Sequence, residues 1–373
     1  MTNDGRVWTR RGVFVAGVAG LLALGGCTGG AGGSGANAGS TNSPDVPKTA
    51  DGDAKPAGGV RAALVLDTGG VDDHSFNAAA WAGMLRAQKE LGLSDKDIKK
   101  TESKDPSDYK TNLSQLASAN YDIVFAVGFK MKDALAEVAP QFPNVKFAII
   151  DAPAPDLPNC VGLQFKEEQG SFLAGFLAAS VSKSKKIGFV GGENIPLIQK
   201  FEAGYRAGAQ TADPTTQVTA TYTGSWEDQA KGKTQAQQQF GGGADVIYQA
   251  AGKAGLGVIQ AATEKGEGYY AIGVDMDQDG ESPGRVLTSM VKHLDTAVFN
   301  TVKLVKEGKF EKGTRTFDLK EGGVGLSEMK YTKQLVTGDV QTKLEKVGKM
   351  IANGQLVVPT TLDELKTFQP PKL

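Results

Sequence analysis

Apolar and polar positions alternate in blocks along the chain, and from residue 60 onward they predict a repeating order of strands and helices. Short, continuously apolar runs predict strands, whereas apolar positions three and four residues apart predict helices. Residues 60–66 form a run of the first kind, and residues 76–91 form a run of the second. Further strands are predicted at 121–127, 145–150, 186–190, 244–248, 269–274 and 286–291, and further helices at 131–139, 171–180, 196–210, 255–264 and 294–307. The more mixed tail, residues 322–373, predicts one late strand and one packing helix.

This order of elements predicts an α/β fold with parallel sheets flanked by helices. Strands separated by helices of about 10–15 residues form βαβ units. Continuously apolar strands are typical of sheets that helices cover on both faces. Several of the predicted strands end in an acid or a glycine: Asp67, Gly128, Asp151, Gly191 and Asp275. Because ligands of open parallel sheets bind at the carboxyl ends of the strands, two facing sheets would enclose one cleft.

The length and charge of the chain narrow the functional classes. Its 373 residues exceed what one hydrophobic core usually supports, so two lobes are expected. Lysine and arginine number 41 against 42 acidic residues, which leaves a formal charge of −1. This balance gives no long-range attraction to nucleic acid, so no nucleic-acid partner is expected. The cysteines Cys27 and Cys160 provide no disulfide framework.

The N-terminus has the pattern of an export signal. Arginines within the first eleven positions precede an apolar run at 13–24, and small residues follow it up to Cys27. A basic start, a short apolar run and small residues before a cleavage site predict a secretory signal peptide over residues 1–27. The apolar run has about 12 residues, which is too short to span a bilayer comfortably.

The end of the signal peptide indicates how the protein is held at the membrane. Leu24-Gly-Gly-Cys27 resembles the bacterial lipobox, in which the cysteine is diacylated and becomes the mature N-terminus. A plain signal peptide with an incidental cysteine is the alternative. Arg10-Arg11 also resembles a twin-arginine signal, so the export route stays open. Because residues 28–59 are small and polar and predict a flexible tether, we expect a lipid-anchored protein on the extracytoplasmic face of the cell membrane.

A possible calcium motif fails on its spacing. Asp275, Asp277 and Asp279 alternate before Gly280, as carboxylates do at the start of a calcium loop. The twelfth position of such a loop needs a glutamate, and here it is Val286. A solvated acidic turn after a strand is the simpler interpretation, and no metal site is expected.

Catalytic and cofactor motifs are also missing from the sequence. Gly191-Gly192 follows a predicted strand, but no Gly-Lys-Ser/Thr comes after it, so there is no P-loop. His74 and His293 are the only histidines, and they lack metal-ligand spacing. No dinucleotide fingerprint and no nucleophile with its base stands out. We therefore expect neither a cofactor nor enzymatic activity.

Several specific motifs follow one another between residues 60 and 320. The first, Asp67-Thr-Gly-Gly-Val-Asp-Asp-His-Ser-Phe-Asn77, is followed by Trp81-Ala-Gly83. The others lie at 165–175, 187–192, 201–208, 251–252, 273–275 and 287–292. Together they resemble the basic membrane protein family, bacterial lipoproteins that include purine nucleoside receptors of ABC transporters. The resemblance implies a two-lobed periplasmic binding protein of the sugar-receptor type, with lobes formed by 60–164 plus 293–325 and by 165–292 plus 326–360.

The resemblance also implies how a base would be held. Phe76 resembles the aromatic residue that stacks on one face of the base, and Phe201 corresponds to the other face. Asp67 and Thr68 resemble the pair that faces the base edge. Family members often carry Asn where Thr68 stands, and a hydroxyl cannot present both the donor and the acceptor of an amide. From position alone, Phe76 at the start of a helix would more often be a core residue, Phe201 could equally be one, and Asp67 could be a helix-capping residue.

A second group of residues corresponds to the sugar-binding part of the family's site. Asp151, Asp275 and Lys292 resemble the residues that hold the ribose hydroxyls, and Gly252 corresponds to a position that offers its backbone. Carboxylates suit this role because they accept hydrogen bonds from hydroxyl groups. From position alone, Lys292 could be a solvated lysine.

We therefore expect a monomeric solute-binding lipoprotein that hands a nucleoside, expected to be a purine nucleoside, to an ABC permease. Binding of a sugar or another small polar solute, for uptake or for sensing, is the alternative. A nucleoside-processing enzyme is the third option, although the failed metal motif argues against it. A DNA-binding regulator is disfavoured because the lipobox and the tether stand where a helix-turn-helix would be expected.

Overall fold

Two sheets organise the part of the chain that the computed structural model describes, residues 59–373. The predicted signal peptide, Cys27 and the tether up to residue 58 lie outside these residues. The strands of the described part are β1 (Ala62–Leu66), β2 (Ile98–Glu102), β3 (Ile123–Val127), β4 (Lys146–Ile150), β5 (Cys160–Phe165), β6 (Lys186–Gly191), β7 (Gln217–Tyr222), β8 (Val246–Ala250), β9 (Tyr270–Asp275), β10 (Val286–Lys292), β11 (Gly313–Phe317) and β12 (Val324–Leu326). Its helices are α1 (Phe76–Leu91), α2 (Asp108–Ser118), α3 (Lys132–Val138), α4 (Glu167–Val181), α5 (Pro196–Ala212), α6 (Gln229–Gly241), α7 (Gly255–Lys265), α8 (Leu294–Lys306), α9 (Gly338–Ala352) and α10 (Leu362–Leu365). Within residues 59–373, no helix is long and apolar enough to cross a membrane.

Both sheets have the same strand order. Within the described residues, the first sheet runs β11-β5-β4-β3-β1-β2 and the second runs β12-β10-β9-β8-β6-β7. All strand pairs of the first sheet are parallel, and in the second sheet only β12 is antiparallel to its neighbour among the strands described. Because the orders match, β4 corresponds to β9 and β5 corresponds to β10. The prediction of an α/β fold with parallel sheets flanked by helices is confirmed.

Each sheet and its helices form one lobe. We call the first sheet with α1, α2, α3 and α8 the first lobe, and the second sheet with α4 to α7, α9 and α10 the second lobe. Helix α8 packs on α1, and α9 packs on α4. The chain passes between the sheets after β5, after β10 and before β12. The predicted lobe boundary at residue 164 falls at the end of β5, the one at residue 292 falls at the end of β10, and the one at residue 325 falls inside β12.

The strands that the hydrophobic pattern misses are mostly edge strands. β2 and β7 lie at corresponding edges of the two sheets, and β11 lies at the other edge of the first. β2 reads Ile-Lys-Lys-Thr-Glu and β7 reads Gln-Val-Thr-Ala-Thr-Tyr, since edge strands are less completely covered and carry polar residues. β5 is an inner strand, but Gly162 and Gln164 interrupt its apolar run.

Helices α4 and α5 pack against each other with almost no space between their backbones. A Cβ atom added at Gly208 of α5 would lie 1.9 Å from the carbonyl oxygen of Phe172, and one at Gly175 of α4 would lie 1.9 Å from that of Tyr205. Glycine is therefore required at both positions for steric reasons. This packing matters for the cleft because α4 begins at Glu167 and α5 carries Phe201.

We expect Gly208→Ala to lower the free energy of unfolding by about 3 kcal/mol, because the new methyl group would overlap backbone atoms that cannot move independently. Gly241→Ala is the matched control, since its helical position has open space around the added Cβ atom. Alanine there should leave stability unchanged or raise it by up to about 1 kcal/mol. Urea denaturation of both variants tests this, and equal stabilities would contradict the packing described.

Candidate functional site

Strand ends from both lobes line one cavity between the lobes. It has about 630 Å³ of empty space, part of which is continuous with solvent. All the predicted ligand-binding residues line this cavity: Asp67, Thr68, Phe76, Asp151, Phe201, Gly252, Asp275 and Lys292. The structure thus brings them together, while their contact with a ligand stays a prediction.

A buried lysine lies at the centre of the charged part of the cavity. Lys292 ends β10, and its side chain is only 2% exposed. Its Nζ donates to Asp151 Oδ2 at 2.6 Å and to Glu167 Oε1 at 3.5 Å. Burial alone would lower the pKa of Lys292, but Asp151, Glu167 and Asp275 outweigh it and raise the pKa above its ordinary value. The side chain is therefore protonated at neutral pH, and because it is buried, the interpretation of Lys292 as a solvated lysine does not hold.

Asp151 and Asp275 occupy equivalent positions at the ends of β4 and β9. Both have a φ of 65°, in the left-handed region that non-glycine residues rarely adopt. Such strained residues cluster at functional sites, where they cost roughly 1–3 kcal/mol each. Because the two strands correspond, this backbone conformation brings one carboxylate from each lobe to the cavity beside Lys292.

The carboxylates of Asp151 and Asp275 differ in the hydrogen bonds that they accept from the protein. Asp275 Oδ2 accepts from Ser75 Oγ at 2.6 Å. Asp151 Oδ2 is bound to Lys292, but Asp151 Oδ1 is buried and has no hydrogen-bond partner within the described chain. Burial raises the pKa of Asp151 to about 6 and also raises the pKa of Asp275, while Lys292 opposes both shifts. The free oxygen of Asp151 can therefore accept a hydrogen bond from a ligand.

Aromatic rings surround the same ammonium group. The Nζ of Lys292 lies 5.0 Å from the ring centroid of Phe76, 5.2 Å from that of Phe165 and 5.7 Å from that of Phe201. These distances allow cation–π attraction. Phe76 comes from the first lobe and Phe201 from the second, so the two rings approach the charged cluster from opposite sides of the cleft.

Side chains near the start of α1 hold the β1 end of the cavity in place. Asn77 Oδ1 accepts from the N–H of Asp67 at 3.0 Å, and its Nδ2 donates to the carbonyl of Thr68 at 3.4 Å. Asp73 accepts from the backbone N–H groups of Ser75, which precedes α1, and of Asn77 and Ala78 in its first turn, at 2.7–3.0 Å. Ser75 holds the N-cap position without a side-chain hydrogen bond, so the Asp73 carboxylate satisfies these N–H groups instead and fixes Phe76 at the start of α1.

Polar contacts also join the lobes at the rim of the cleft. Lys130 Nζ lies 2.5 Å from Glu193 Oε1, and His74 Nδ1 lies 2.6 Å from Glu281 Oε1. Gln278 Nε2 donates to the carbonyl of His74 at 2.9 Å. The hydrogen bond and charge of Glu281 raise the pKa of His74. Because each of these contacts links residues of different lobes, the cleft is closed in this structure.

The family model for ABC transporter substrate-binding proteins of the PnrA-like kind matches residues 60–361. This chain belongs to that family. The predicted membership of the basic membrane protein family is confirmed, and the protein is the substrate-binding component of an ABC transporter.

Individual relatives of this PnrA-like protein agree with the family model. It is 36% identical over 325 residues to the CD4+ T-cell-stimulating antigen of Listeria innocua, with 83% of this chain and 90% of the relative covered. It is 35% identical over 319 residues to the ABC transporter nucleoside-binding protein BmpA of Lactococcus lactis, with 81% and 89% covered. A solved ABC transporter solute-binding protein of Aeropyrum pernix K1 superimposes with a TM-score of 0.73 at 29% identity, covering 82% of this chain and 96% of that chain. The predicted two-lobed binding-protein fold is confirmed.

Two further aromatic residues that line the cavity are not predicted by the sequence patterns. Phe129 of the first lobe and Trp226 of the second meet edge to face across the cleft, with ring centroids 6.5 Å apart. Phe129 directly follows Gly128, whose place at a strand end is the signal that could have identified it. Trp226 follows the edge strand β7, which the hydrophobic pattern misses. Its indole N–H is buried and has no partner among the described residues, so it can donate to a ligand.

Gly252 contributes backbone rather than a side chain to the same wall. It follows β8 with a φ of 56°, and an added Cβ atom would lie 3.4 Å from the carbonyl oxygen of Trp226. A side chain there would be strained and would narrow the cleft.

The chemistry of the cavity suits a neutral ligand with hydroxyl donors. Asp151, Asp275 and Glu167 are acceptors when ionised, and Lys292 is the cation among them. Within residues 59–373, no group of three or more His, Cys, Asp or Glu side chains could hold a metal ion. The rings, the acceptors and the ammonium group of Lys292 can bind and orient a solute through stacking and hydrogen bonds.

Proposed function

We propose that this PnrA-like protein binds a purine nucleoside in its interlobe cleft and delivers it to the permease of an ABC transporter. The observation that carries the proposal is the unpartnered, buried Asp151 Oδ1, which lies in a cluster with Lys292 and Asp275. The name of the Lactococcus lactis relative, a nucleoside-binding protein, supports the same ligand class.

The charged cluster matches the vicinal diol of a ribose. A buried acceptor without a partner costs roughly 1–3 kcal/mol, and a ligand hydroxyl that donates to it removes that cost. One ribose hydroxyl would donate to Asp151 Oδ1, and the adjacent ribose hydroxyl would donate to Asp275. Lys292 would donate to the oxygen of one of these two hydroxyl groups. Each hydrogen bond to a charged group contributes roughly 1.5–3 kcal/mol.

The aromatic rings match the faces of a base. Phe76 and Phe201 come from opposite lobes, so a planar group between them would be stacked only when the lobes are closed. Stacking of a base on an aromatic side chain contributes roughly 1–3 kcal/mol. A free pentose would use the charged cluster but not these rings, which is why we favour a nucleoside over a sugar.

The acidic balance of the cavity disfavours nucleotides. A phosphate group would bring negative charge close to Asp151 and Asp275, the two carboxylates that line the cavity beside Lys292. Like charges at short range in a poorly solvated site repel strongly. A neutral nucleoside avoids this repulsion.

We propose that the lobes open and close as two bodies about the passages that follow β5 and β10 and precede β12. A ligand stabilises the closed form only through its higher affinity for that form. A nucleoside held by Phe76 and Asp151 of the first lobe and by Phe201, Asp275 and Lys292 of the second meets this condition.

We further propose that Cys27 is acylated, so that the protein acts at the extracytoplasmic face of the cell membrane. The lipobox-like Leu24-Gly-Gly-Cys27 and the tether at 28–59 support this arrangement. Mass spectrometry of the mature protein should show an N-terminal Cys27 that carries acyl chains. An unmodified Cys27 in the mature protein would contradict the anchor.

For the binding site, we expect Phe76→Ala and Asp275→Ala each to weaken purine nucleoside binding at least tenfold, because they remove a stacking ring and a hydroxyl acceptor. Isothermal titration calorimetry measures the affinity. Phe310→Ala and Asp277→Ala are the matched controls, since neither residue lines the cavity, and they should bind normally. Circular dichroism checks that all variants are folded. Unchanged affinity in both test variants would remove this site assignment.

A further inference from the structure

The two oxygens of the Asp67 carboxylate have different surroundings. Oδ1 accepts from the N–H of Thr68 at 2.7 Å and from the hydroxyl of Tyr109. Tyr109 lies in the first turn of α2 and is 2% exposed, so its ring is held firmly by the core of the first lobe. Oδ2 accepts no hydrogen bond from the residues described. It lies beside Gly128, where an added Cβ atom would come within 2.8 Å of it.

This arrangement leaves one oxygen for a ligand. A carboxylate oxygen has about two acceptor positions, and both positions of Oδ1 are taken by Thr68 and Tyr109. Asp67 and Gly128 both line the cavity, and glycine at position 128 leaves room for Oδ2. Oδ2 is therefore the oxygen that remains free to accept a hydrogen bond from a bound molecule.

Asp67 lies at a different part of the cavity from the charged cluster. It follows β1, whereas Asp151 follows β4, and β3 lies between these two strands in the first sheet, which separates the two strand ends by about 10 Å. The charges of Lys130 and Glu193 act on Asp67. Asp151, Asp275 and Lys292 instead act on one another. A ligand that places its sugar at the cluster would therefore present its base to Asp67.

We infer that Tyr109 is a positioning residue, which holds Asp67 so that Oδ2 accepts the ring N–H of a nucleoside base. The inference rests on the proposed function and narrows the substrate class to 6-oxopurine nucleosides, such as inosine and guanosine. Their N1 carries a hydrogen and donates, whereas N1 of adenosine is an acceptor and would face the lone pairs of Oδ2. A methyl group on N1 removes the donor without changing the sugar or the stacking surface.

The charge state of Asp67 provides a readout that a purely structural role of Tyr109 would not change. Burial raises the pKa of Asp67, and the hydrogen bonds from Tyr109 and Thr68 lower it, as does Lys130, while Glu193 raises it. The ionised carboxylate is the form that accepts from N1–H. Inosine affinity is therefore retained above the pKa of Asp67 and lost as the pH falls through it. Removing the Tyr109 hydroxyl raises that pKa and moves the loss to higher pH.

The second lobe offers a matched control. Tyr222 at the end of β7 donates its hydroxyl to Glu202 Oε2, as Tyr109 donates to Asp67. Both tyrosines are at least partly buried, but neither Tyr222 nor Glu202 lines the cavity. Tyr222→Phe therefore removes the same kind of hydrogen bond away from the proposed site.

The test is calorimetric titration of the wild type, Tyr109→Phe and Tyr222→Phe with inosine, 1-methylinosine and adenosine between about pH 5 and 8. We expect the wild type to prefer inosine. Tyr109→Phe should weaken inosine binding about tenfold, change 1-methylinosine binding less than about twofold, and shift the pH dependence upward. Tyr222→Phe should bind all three nucleosides as the wild type does.

Two results would overturn the inference while leaving the proposed function in place. One is an equal loss of inosine and 1-methylinosine affinity in Tyr109→Phe with an unchanged pH profile, which would make Tyr109 a fold-supporting residue only. The other is a wild type that binds inosine and 1-methylinosine equally well. If the wild type bound none of the three nucleosides, the proposed function itself would fail, and the inference with it.

Discussion

The ammonium group of Lys292, buried between the lobes, is the interaction on which the rest of the cleft depends. It lies 2.6 Å from Asp151 of the first lobe and 3.5 Å from Glu167 of its own lobe. An unpaired buried charge would be very costly, so Asp151 and Lys292 require one another, while Glu167 is also paired with Lys200 at 2.7 Å. The pairing nevertheless leaves Asp151 Oδ1 without a protein partner. In the closed cleft, this oxygen is hydrogen-bonded only when a ligand supplies a donor.

The repeated strand order explains how this cluster is assembled. Because β4 and β9 hold the same place in their sheets, Asp151 and Asp275 reach the cleft from opposite lobes with the same left-handed backbone. The close packing of α4 on α5 sets the positions of Glu167 and Phe201 on the second lobe. The site thus follows from the architecture, and it suits the role of an ABC transporter substrate-binding protein, which must close around its solute and release it again.

The fold could be predicted from the sequence because the central strands are continuously apolar. The edge strands β2 and β7 could not be predicted, because they carry many polar residues. The cavity residues at strand ends, such as Asp67 and Asp275, were accessible through the rule that ligands bind at the carboxyl ends of parallel strands. Tyr109 and Trp226 were not accessible in this way. Tyr109 reaches Asp67 only because α2 packs beside β1, and Trp226 follows a strand that the hydrophobic pattern does not reveal.

We expect the carboxylates beside Lys292 to require hydroxyl donors from the ligand. Calorimetric comparison of inosine with 2′,3′-dideoxyinosine tests it most directly, since the two share the same base and differ only in the diol. We expect the dideoxy compound to bind at least about a hundredfold more weakly, because two hydrogen bonds to charged groups are lost and Asp151 Oδ1 stays unpartnered. Equal affinities for the two compounds would contradict the claim.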